Sequence, residues 1–274
     1  MATLIASSLE TLQERGRALR ATVREAGYAV RVLGSALACL PRDLVHRRRF
    51  VLDQLGVCGL SPLPVVCVVG LFTGMILALQ IGIELQSFGQ AERIADIVGV
   101  VLFREMGPFM VAMILTASVG SAMSAEIGTM AVSEEIDALE CMSVDPISFL
   151  VMPRVLAMAL MTPLLTFVGN VLGVVGGCIV ARTQLDVPVD VYIRGVMTSL
   201  EADLDSLGPL PEEIVTGCIK ALIFGLIIAA ISCSAGLQAR GGAIGVGRAV
   251  RSAVIRCFLM LIIIGYYVSW MFFR

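Results

Sequence analysis

Five apolar stretches of about 20 residues each constrain the fold of this chain more than any other feature, because a helix of that length crosses about 30 Å of hydrocarbon. They lie at about residues 63–82, 97–117, 155–181, 214–235 and 253–273. The chain of 274 residues is 58% hydrophobic and only 15% charged, whereas soluble domains carry about 25% charge. The sequence therefore predicts an all-α integral membrane protein with about five transmembrane helices.

The N-terminal 50 residues follow a different pattern. Over residues 8–38, apolar residues recur at spacings of three and four, which marks one stripe of a helix. Arginines such as Arg15, Arg20 and Arg31 occupy the other faces, and a basic amphipathic helix of this kind commonly lies at a membrane surface. We therefore expect residues 1–50 to form an interfacial segment and residues 51–274 to form the transmembrane domain. A short coiled coil is the alternative for the N-terminal helix.

The arginines also predict the orientation of the chain, because segments rich in Lys and Arg stay in the cytoplasm. The segment up to Arg49 is rich in arginine, and the loop at 236–252 carries three arginines and no acidic residue. The segment at 182–213 carries two arginines against seven acidic residues. We therefore expect the N-terminus and the 236–252 loop in the cytoplasm. The segments at 83–96 and 182–213 and the C-terminus should lie on the other side.

Charged residues interrupt two of the predicted spans. Arg104 and Glu105 are neighbours in the second span, and adjacent residues on a helix point about 100° apart, so each needs its own partner. Lys220, in the fourth span, is the natural counter-charge for Glu105. These residues form either an ion pair that fixes helix packing or a polar wall on a substrate path, since charges inside a membrane commonly mark such paths. Gly107 and Pro108 follow directly and predict a weakened or kinked helix.

Glycines at every fourth position mark the third span. Gly169, Gly173 and Gly177 form two overlapping GxxxG steps. Small residues at that spacing let helix backbones approach closely in lipid. We expect these glycines to serve helix packing rather than ligand binding.

Residues 126–145, between the second and third apolar stretches, form an acidic insert. Val132, Ile136 and Leu139 share one face of a helix, with acidic residues around the rest. Ser133 would cap the start of this helix, and the Asp-Pro step at 145–146 would end it. The insert is either a solvated loop helix or a docking helix whose apolar ridge enters a groove of a cytosolic partner. Its acidic residues are Glu126, Glu134, Glu135, Asp137, Glu140 and Asp145.

The chain carries no signature of an enzyme. Its one lysine, Lys220, lies in a sequence that does not fit the nucleotide-binding P-loop, so we expect no ATP hydrolysis by this chain. It has one histidine and eight cysteines without a CxxC pair, and we expect neither a metal site nor a disulfide. The N-terminal arginines adjoin a predicted span, which favours a membrane surface over nucleic acid as their partner.

Several motifs together resemble one family. They are "REMGP" at 104–108, "GSAMSAEIGTM" at 120–130, "SEEIDALECMSVDP" at 133–146, "PR" at 153–154 and "GGAIGVGRAV" at 241–250. In this order they are similar to MlaE-type permease subunits of the ABC transporters that work with MCE (mammalian-cell-entry) proteins. The resemblance covers the chain from about residue 50 onward.

The resemblance implies a homodimeric permease of the bacterial inner membrane that moves phospholipid or a related lipid between that membrane and a periplasmic MCE protein. In this family a separate cytosolic ATPase dimer, which binds ATP and magnesium, drives transport, so the chain itself needs no cofactor. The stretch at 126–145 would be the coupling helix that docks on the ATPase. Arg104, Glu105 and Lys220 map onto positions near the lipid cavity of the family, and the C-terminus would be periplasmic.

The chain departs from the family pattern at Ser118, where many relatives have arginine, and in the longer loop at 206–213. The residues by themselves also leave a second class of function open. It is a proton- or ion-coupled secondary transporter in which Arg104, Glu105 and Lys220 relay protons or bind an anion. The lack of a clear inverted repeat in the sequence disfavours this class.

Overall fold

The computed structural model describes residues 24–25, 27–36, 38, 48–90, 93–201 and 212–272. These residues form helices and turns without a strand, and five helical segments are long and apolar enough to cross a membrane. The prediction of an all-α integral membrane protein with five spans is confirmed. The part of the amphipathic pattern at 8–23 and most of the loop at 206–213 lie outside the described residues.

The described residues from 48 onward form eight helices. Their bounds are α1 Arg48–Leu60, α2 Leu63–Ser87, α3 Ile94–Val132, α4 Glu135–Cys141, α5 Ile147–Gln184, α6 Val189–Glu201, α7 Glu212–Leu237 and α8 Gly242–Phe272. The first span consists of α1 and α2, the other spans are α3, α5, α7 and α8, and two short helices, α4 and α6, connect spans. Ahead of α1, the described residues of 24–38 are helical.

Successive spans run in opposite directions, so the connections fall at two ends of the bundle. Helix α4 and the turn at 238–241 lie at one end, which we call the docking end. The turn at 88–93 and helix α6 lie at the other, which we call the far end. Helix α6 packs against the first turns of α3 and buries Tyr192 and Val196 there.

Three spans extend beyond their predicted apolar stretches at the docking end: α5 begins at Ile147 rather than at residue 155, and the extensions of α3 and α8 are longer. Helix α3 continues past residue 117 to Val132, and α8 begins at Gly242 rather than at residue 253. The added turns are held by small residues packed on their neighbours: a Cβ at Gly128 of α3 would contact Ala239 and Val246. Hydropathy did not find these turns because contact with other helices, rather than apolar length, holds them.

The glycine-rich segment "GGAIGVG" at 241–247 is mostly helix. The sequence suggests a tight turn, but α8 begins at Gly242 and includes the rest of the segment. Only Gly241 and Gly242 have the left-handed backbone, with φ of 90° and 69°, that favours glycine. These two glycines therefore mark the end of the turn between α7 and α8 and the start of α8.

Glycines bring the backbones of α2 and α5 into contact. Gly169 and Gly173 of the predicted packing motif face Gly70 and Gly74 of α2. A Cβ at Gly70 would lie 2.7 Å from the carbonyl oxygen of Gly169, and a Cβ at Gly74 would overlap the Gly173 carbonyl. The third glycine, Gly177, lies against the hydroxyl group of Tyr192 on α6.

Tyr192 holds α6 to the bundle as an apolar anchor. Its side chain is fully buried among apolar residues of α2, α3 and α5. Burial raises the pKa of its phenol, so the group stays neutral.

We expect Gly74→Ala to lower the melting temperature of the purified protein. The added methyl group would overlap the Gly173 carbonyl, and overpacking of this kind costs about 1–3 kcal/mol. The control is Gly56→Ala on α1, where nothing lies within 4 Å of the added Cβ. That variant should be neutral or slightly stabilising, because alanine favours a helix over glycine by about 1 kcal/mol. Equal melting temperatures for the two variants in the same detergent would contradict the close contact of α2 and α5.

Candidate functional site

The site is built on one wide turn of α3. Residues Leu102–Met106 form a π-helical turn, in which the N–H of Gly107 donates to the carbonyl of Leu102, five residues earlier. Such turns insert one extra residue into an α-helix and are frequent at functional sites. The helix then continues to Val132. The weakness that the sequence predicts at Gly107 and Pro108 therefore takes the form of a local widening of a continuous helix.

Pro108 explains why a lysine of another helix donates a hydrogen bond to this turn. Proline has no N–H, so it cannot give the carbonyl of Arg104, four residues earlier, its usual donor. An unsatisfied backbone group within a membrane costs several kcal/mol. The ammonium of Lys220 on α7 donates to that carbonyl at 3.1 Å. Gly217, one turn before Lys220, allows this approach because a Cβ there would overlap the Phe103 carbonyl.

Lys220 is only 1% exposed, and each of its three N–H donors has an acceptor within the protein. Besides the Arg104 carbonyl, the ammonium contacts Oε1 of Glu105 at 2.8 Å and Oγ of Ser269 on α8 at 2.8 Å. The Ser269 hydroxyl in turn donates to Glu105 Oε1 at 2.7 Å or to the Gly265 carbonyl at 2.9 Å. The structure thus joins Glu105 and Lys220, as the sequence suggests, and links α3, α7 and α8 through charge-assisted hydrogen bonds.

The Arg104 side chain points to a different partner. Its Nη1 lies 3.7 Å from Oε1 of Glu213, in the first turn of α7, and the Glu213 side chain is 7% exposed. The two neighbouring charges of α3 therefore have separate partners, as their angle on the helix requires. Of the three predicted cavity residues, the structure brings Glu105 and Lys220 to one pocket, whereas the Arg104 side chain does not line it.

Glu105 opens onto a pocket of about 160 Å³ between α3, α7 and α8. Its side chain is 43% exposed, in contrast to the buried Lys220 behind it. Three aromatic side chains line the pocket, and most of the remaining wall is aliphatic. The lining residues are Glu105, Met106, Phe109, Lys220, Phe224, Leu261, Ile262, Gly265 and Tyr266.

A second candidate site is the acidic surface of α4 at the docking end. Helix α4 has seven residues, none of them buried. Glu134, Glu135, Asp137 and Glu140 lie on or directly before it and are all exposed. These four carboxylates form a surface that we call the acidic patch.

Glu126 and Asp145 do not belong to this patch; they secure the helices on either side of α4. Oε2 of Glu126, on α3, accepts a hydrogen bond from Nη2 of Arg154 at 3.0 Å, and Arg154, on α5, is 5% exposed. The carboxylate of Asp145 accepts from the N–H groups of Ile147 and Ser148 and so caps α5. The predicted coupling helix at 126–145 is therefore the end of α3, a turn, the short α4 and the cap of α5.

The apolar ridge predicted for the docking helix is not exposed as a ridge. Val132 is the last residue of α3, Ile136 packs against the core, and Leu139 is half-buried. Tertiary packing therefore uses the apolar face within the chain itself. The large apolar side chain at the surface beside α4 is that of Met142, which is 66% exposed.

The expected cap of α4 by Ser133 is also wrong. The Ser133 hydroxyl bonds to the carbonyl of Thr129 and to the carboxylate of Glu135 instead of to a backbone N–H. Glu134 precedes α4 in the left-handed conformation, with φ of 63°. A sharp reversal of the backbone, rather than a side-chain cap, starts this helix.

Sequence reasoning missed Ser269, Glu213 and Arg154. Ser269 and Arg154 are polar residues in or beside apolar stretches, and this was the available signal for them. No local signal links Glu213 to Arg104, because the pair depends on where the first turn of α7 meets α3. Ser118, where many relatives have arginine, donates its hydroxyl to the Ile114 carbonyl at 2.7 Å.

Comparisons with known proteins agree on one family. A protein-family model described as Permease MlaE matches residues 51–271. A probable ABC transporter permease protein of Rickettsia prowazekii (strain Madrid E) is 38% identical over 224 residues, 82% of this chain and 83% of that protein. A probable ABC transporter permease protein of Synechocystis sp. is 33% identical over 227 residues, 83% of each chain. Protein TRIGALACTOSYLDIACYLGLYCEROL 1, chloroplastic, of Arabidopsis thaliana is 30% identical over 243 residues, 89% of this chain and 67% of that protein.

The ion pair at the wide turn should contribute to the stability of the folded protein. We expect Glu105→Gln to destabilise the protein by about 3 kcal/mol, because it leaves the buried Lys220 cation without its anion. Lys220→Met should destabilise it at least as much, because it takes the donor away from both the Arg104 carbonyl and the Glu105 carboxylate. Melting temperatures of the wild-type protein and the variants in one detergent measure these changes in stability.

The control for this series is Asp190→Asn, which removes an exposed carboxylate that lies 3.8 Å from the exposed Arg194. It should change the free energy of unfolding by less than about 1 kcal/mol. A Glu105→Gln variant as stable as Asp190→Asn would contradict the stranded-cation argument.

Proposed function

The chain belongs to the MlaE permease family, and we propose that it is the membrane-spanning subunit of an ABC transporter that moves phospholipid or a related lipid between the bacterial inner membrane and a periplasmic MCE protein. The observation that carries the proposal is the pocket at Glu105 and Lys220, a charged site among the spans of a chain whose relatives are named ABC transporter permeases. The Arabidopsis relative is named for a lipid, trigalactosyldiacylglycerol, which supports a lipid as the cargo.

The depth of the pocket supports a lipid path. Glu105 lies eleven residues after Ile94, the first residue of α3, which corresponds to about 16 Å along a helix. The hydrocarbon core is about 30 Å thick, so a core that begins at Ile94 would place this carboxylate well inside it. Charged residues at such a depth are costly and commonly mark a transport path.

We propose that two copies of the chain enclose the lipid together. The pocket holds about 160 Å³, less than the roughly 300–1,000 Å³ of typical small-molecule sites, so one chain can surround only part of a lipid. The pocket adjoins an exposed apolar face of α8, which supports a second copy as the other wall. The large exposed residues of that face are Ile255, Leu259, Ile262, Ile263, Tyr266, Tyr267, Trp270 and Met271.

The acidic patch on α4 supports docking of a separate cytosolic ATPase dimer, which would bind ATP and Mg²⁺. Four exposed carboxylates without a basic side chain in α4 suit a basic surface on that partner. In this proposal the docking end lies in the cytoplasm, as the arginine distribution predicts. The far end and the C-terminus would then face the periplasm and the MCE protein.

We expect Asp137→Lys/Glu140→Lys to abolish co-purification of the ATPase subunit under mild detergent. Both side chains are exposed, so the change should reverse the charge of the docking surface without disturbing the spans. The measurement is the amount of ATPase recovered with the tagged chain, together with the melting temperature of the chain.

The control is Glu84→Lys, which reverses an exposed carboxylate near the end of α2 at the far end of the bundle. It should leave ATPase recovery unchanged. Full recovery of the ATPase by the α4 double variant would refute the docking role. Lipid movement that depended on a proton gradient and not on ATP would instead favour a secondary transporter. In that case Arg104, Glu105 and Lys220 would relay protons or bind an anion.

A further inference from the structure

We propose that the pocket beside Glu105 binds the ammonium group of a zwitterionic lipid headgroup, such as that of phosphatidylethanolamine. This inference rests on the proposed lipid transport and adds which part of the lipid the site recognises. It follows from three features of the pocket: the direction of its ion pair, the state of one carboxylate oxygen and the chemistry of its walls.

The ion pair presents its negative end to the pocket. Lys220 is 1% exposed, and its three donors are taken by Glu105, Ser269 and the Arg104 carbonyl. It therefore has no donor left for a lipid phosphate. Glu105 is 43% exposed. The pair is neutral as a whole, but a ligand in the pocket meets a carboxylate in front of a buried cation.

One carboxylate oxygen of Glu105 remains available. Lys220 and Ser269 both contact Oε1, and Oε2 makes no hydrogen bond or ion pair with any residue that the structure describes. An ionised oxygen at membrane depth is costly without a donor. An ammonium group supplies both the donor and the opposite charge, whereas a phosphate would be repelled.

The walls of the pocket favour a cation as well. Phe109, Phe224 and Tyr266 line it together with Glu105. The face of an aromatic ring carries partial negative charge and attracts ammonium groups within about 6 Å. A carboxylate among aromatic rings is a combination that recognises amines. The guanidinium of Arg104, which could have attracted a phosphate, is directed to Glu213 on α7.

The test is lipid binding by the purified full-length chain in detergent. The chain is incubated with an equimolar mixture of dioleoyl phosphatidylethanolamine and dioleoyl phosphatidylglycerol, and native mass spectrometry counts the lipids that remain bound. We expect phosphatidylethanolamine to exceed phosphatidylglycerol by about threefold to tenfold, the range that cation–π contacts supply. A preference for phosphatidylglycerol, or equal binding of both lipids, would overturn the proposal.

Variants of the pocket identify the side chains that produce the preference for phosphatidylethanolamine. Glu105→Gln/Lys220→Met removes the carboxylate and its buried cation together, and it should bring the ratio of the two lipids close to one. Tyr266→Leu keeps the ion pair and should lower the ratio. Its matched control is Tyr267→Leu, which removes a neighbouring exposed tyrosine that does not line the pocket and should leave the ratio unchanged. A wild-type ratio in both pocket variants would refute the assignment.

Competition with a soluble amine distinguishes recognition of a lipid headgroup from binding of any free amine. Ethanolamine added at millimolar concentration should not displace phosphatidylethanolamine from the wild-type chain, because a lipid is also held by its acyl chains. Displacement by ethanolamine would show that the site takes soluble amines and would overturn the choice of a lipid.

The binding measurement needs no ATPase, so the two proposals can fail separately. A preference for phosphatidylethanolamine without ATP-driven lipid movement by the whole complex would refute the proposed function and leave the ammonium site standing. ATP-driven lipid movement without any headgroup preference would refute the ammonium site alone.

Discussion

A single missing backbone donor organises the middle of this protein. Pro108 cannot donate to the carbonyl of Arg104, and hydrocarbon offers no water to replace that donor. The Lys220 ammonium fills the position from α7. A buried ammonium in turn needs an anion and further acceptors, which Glu105 and Ser269 supply. The consequence is a fixed meeting point of α3, α7 and α8.

The same arrangement that satisfies the backbone leaves a polar surface for a ligand. All donors of Lys220 are consumed, so the cation serves structure, while the partly exposed Glu105 faces the pocket. Lys220 is therefore the structural half of the ion pair, and Glu105 is the half to which the proposed recognition of a ligand applies. This division explains how a costly pair of charges can persist among apolar helices and still leave a carboxylate open to the pocket.

The docking end follows a different principle, in which an exposed helix lies between two helices that are tied to each other. The Glu126–Arg154 pair ties the last turns of α3 to the first turns of α5, and Asp145 caps α5. Helix α4 lies between these fixed points with its carboxylates exposed. A displacement of α4 would therefore be passed to two spans at once.

The sequence by itself determined the membrane class, the five spans and the pairing of Glu105 with Lys220, because hydropathy is a local sum and a lone lysine in an apolar stretch has few possible anions. It did not determine that Arg104 turns to Glu213, that Ser269 completes the network or that Ile136 packs inward. Only the tertiary structure decided these points. A polar partner depends on which helices meet and how closely, and that distance is set by backbone contacts such as the one at Gly217.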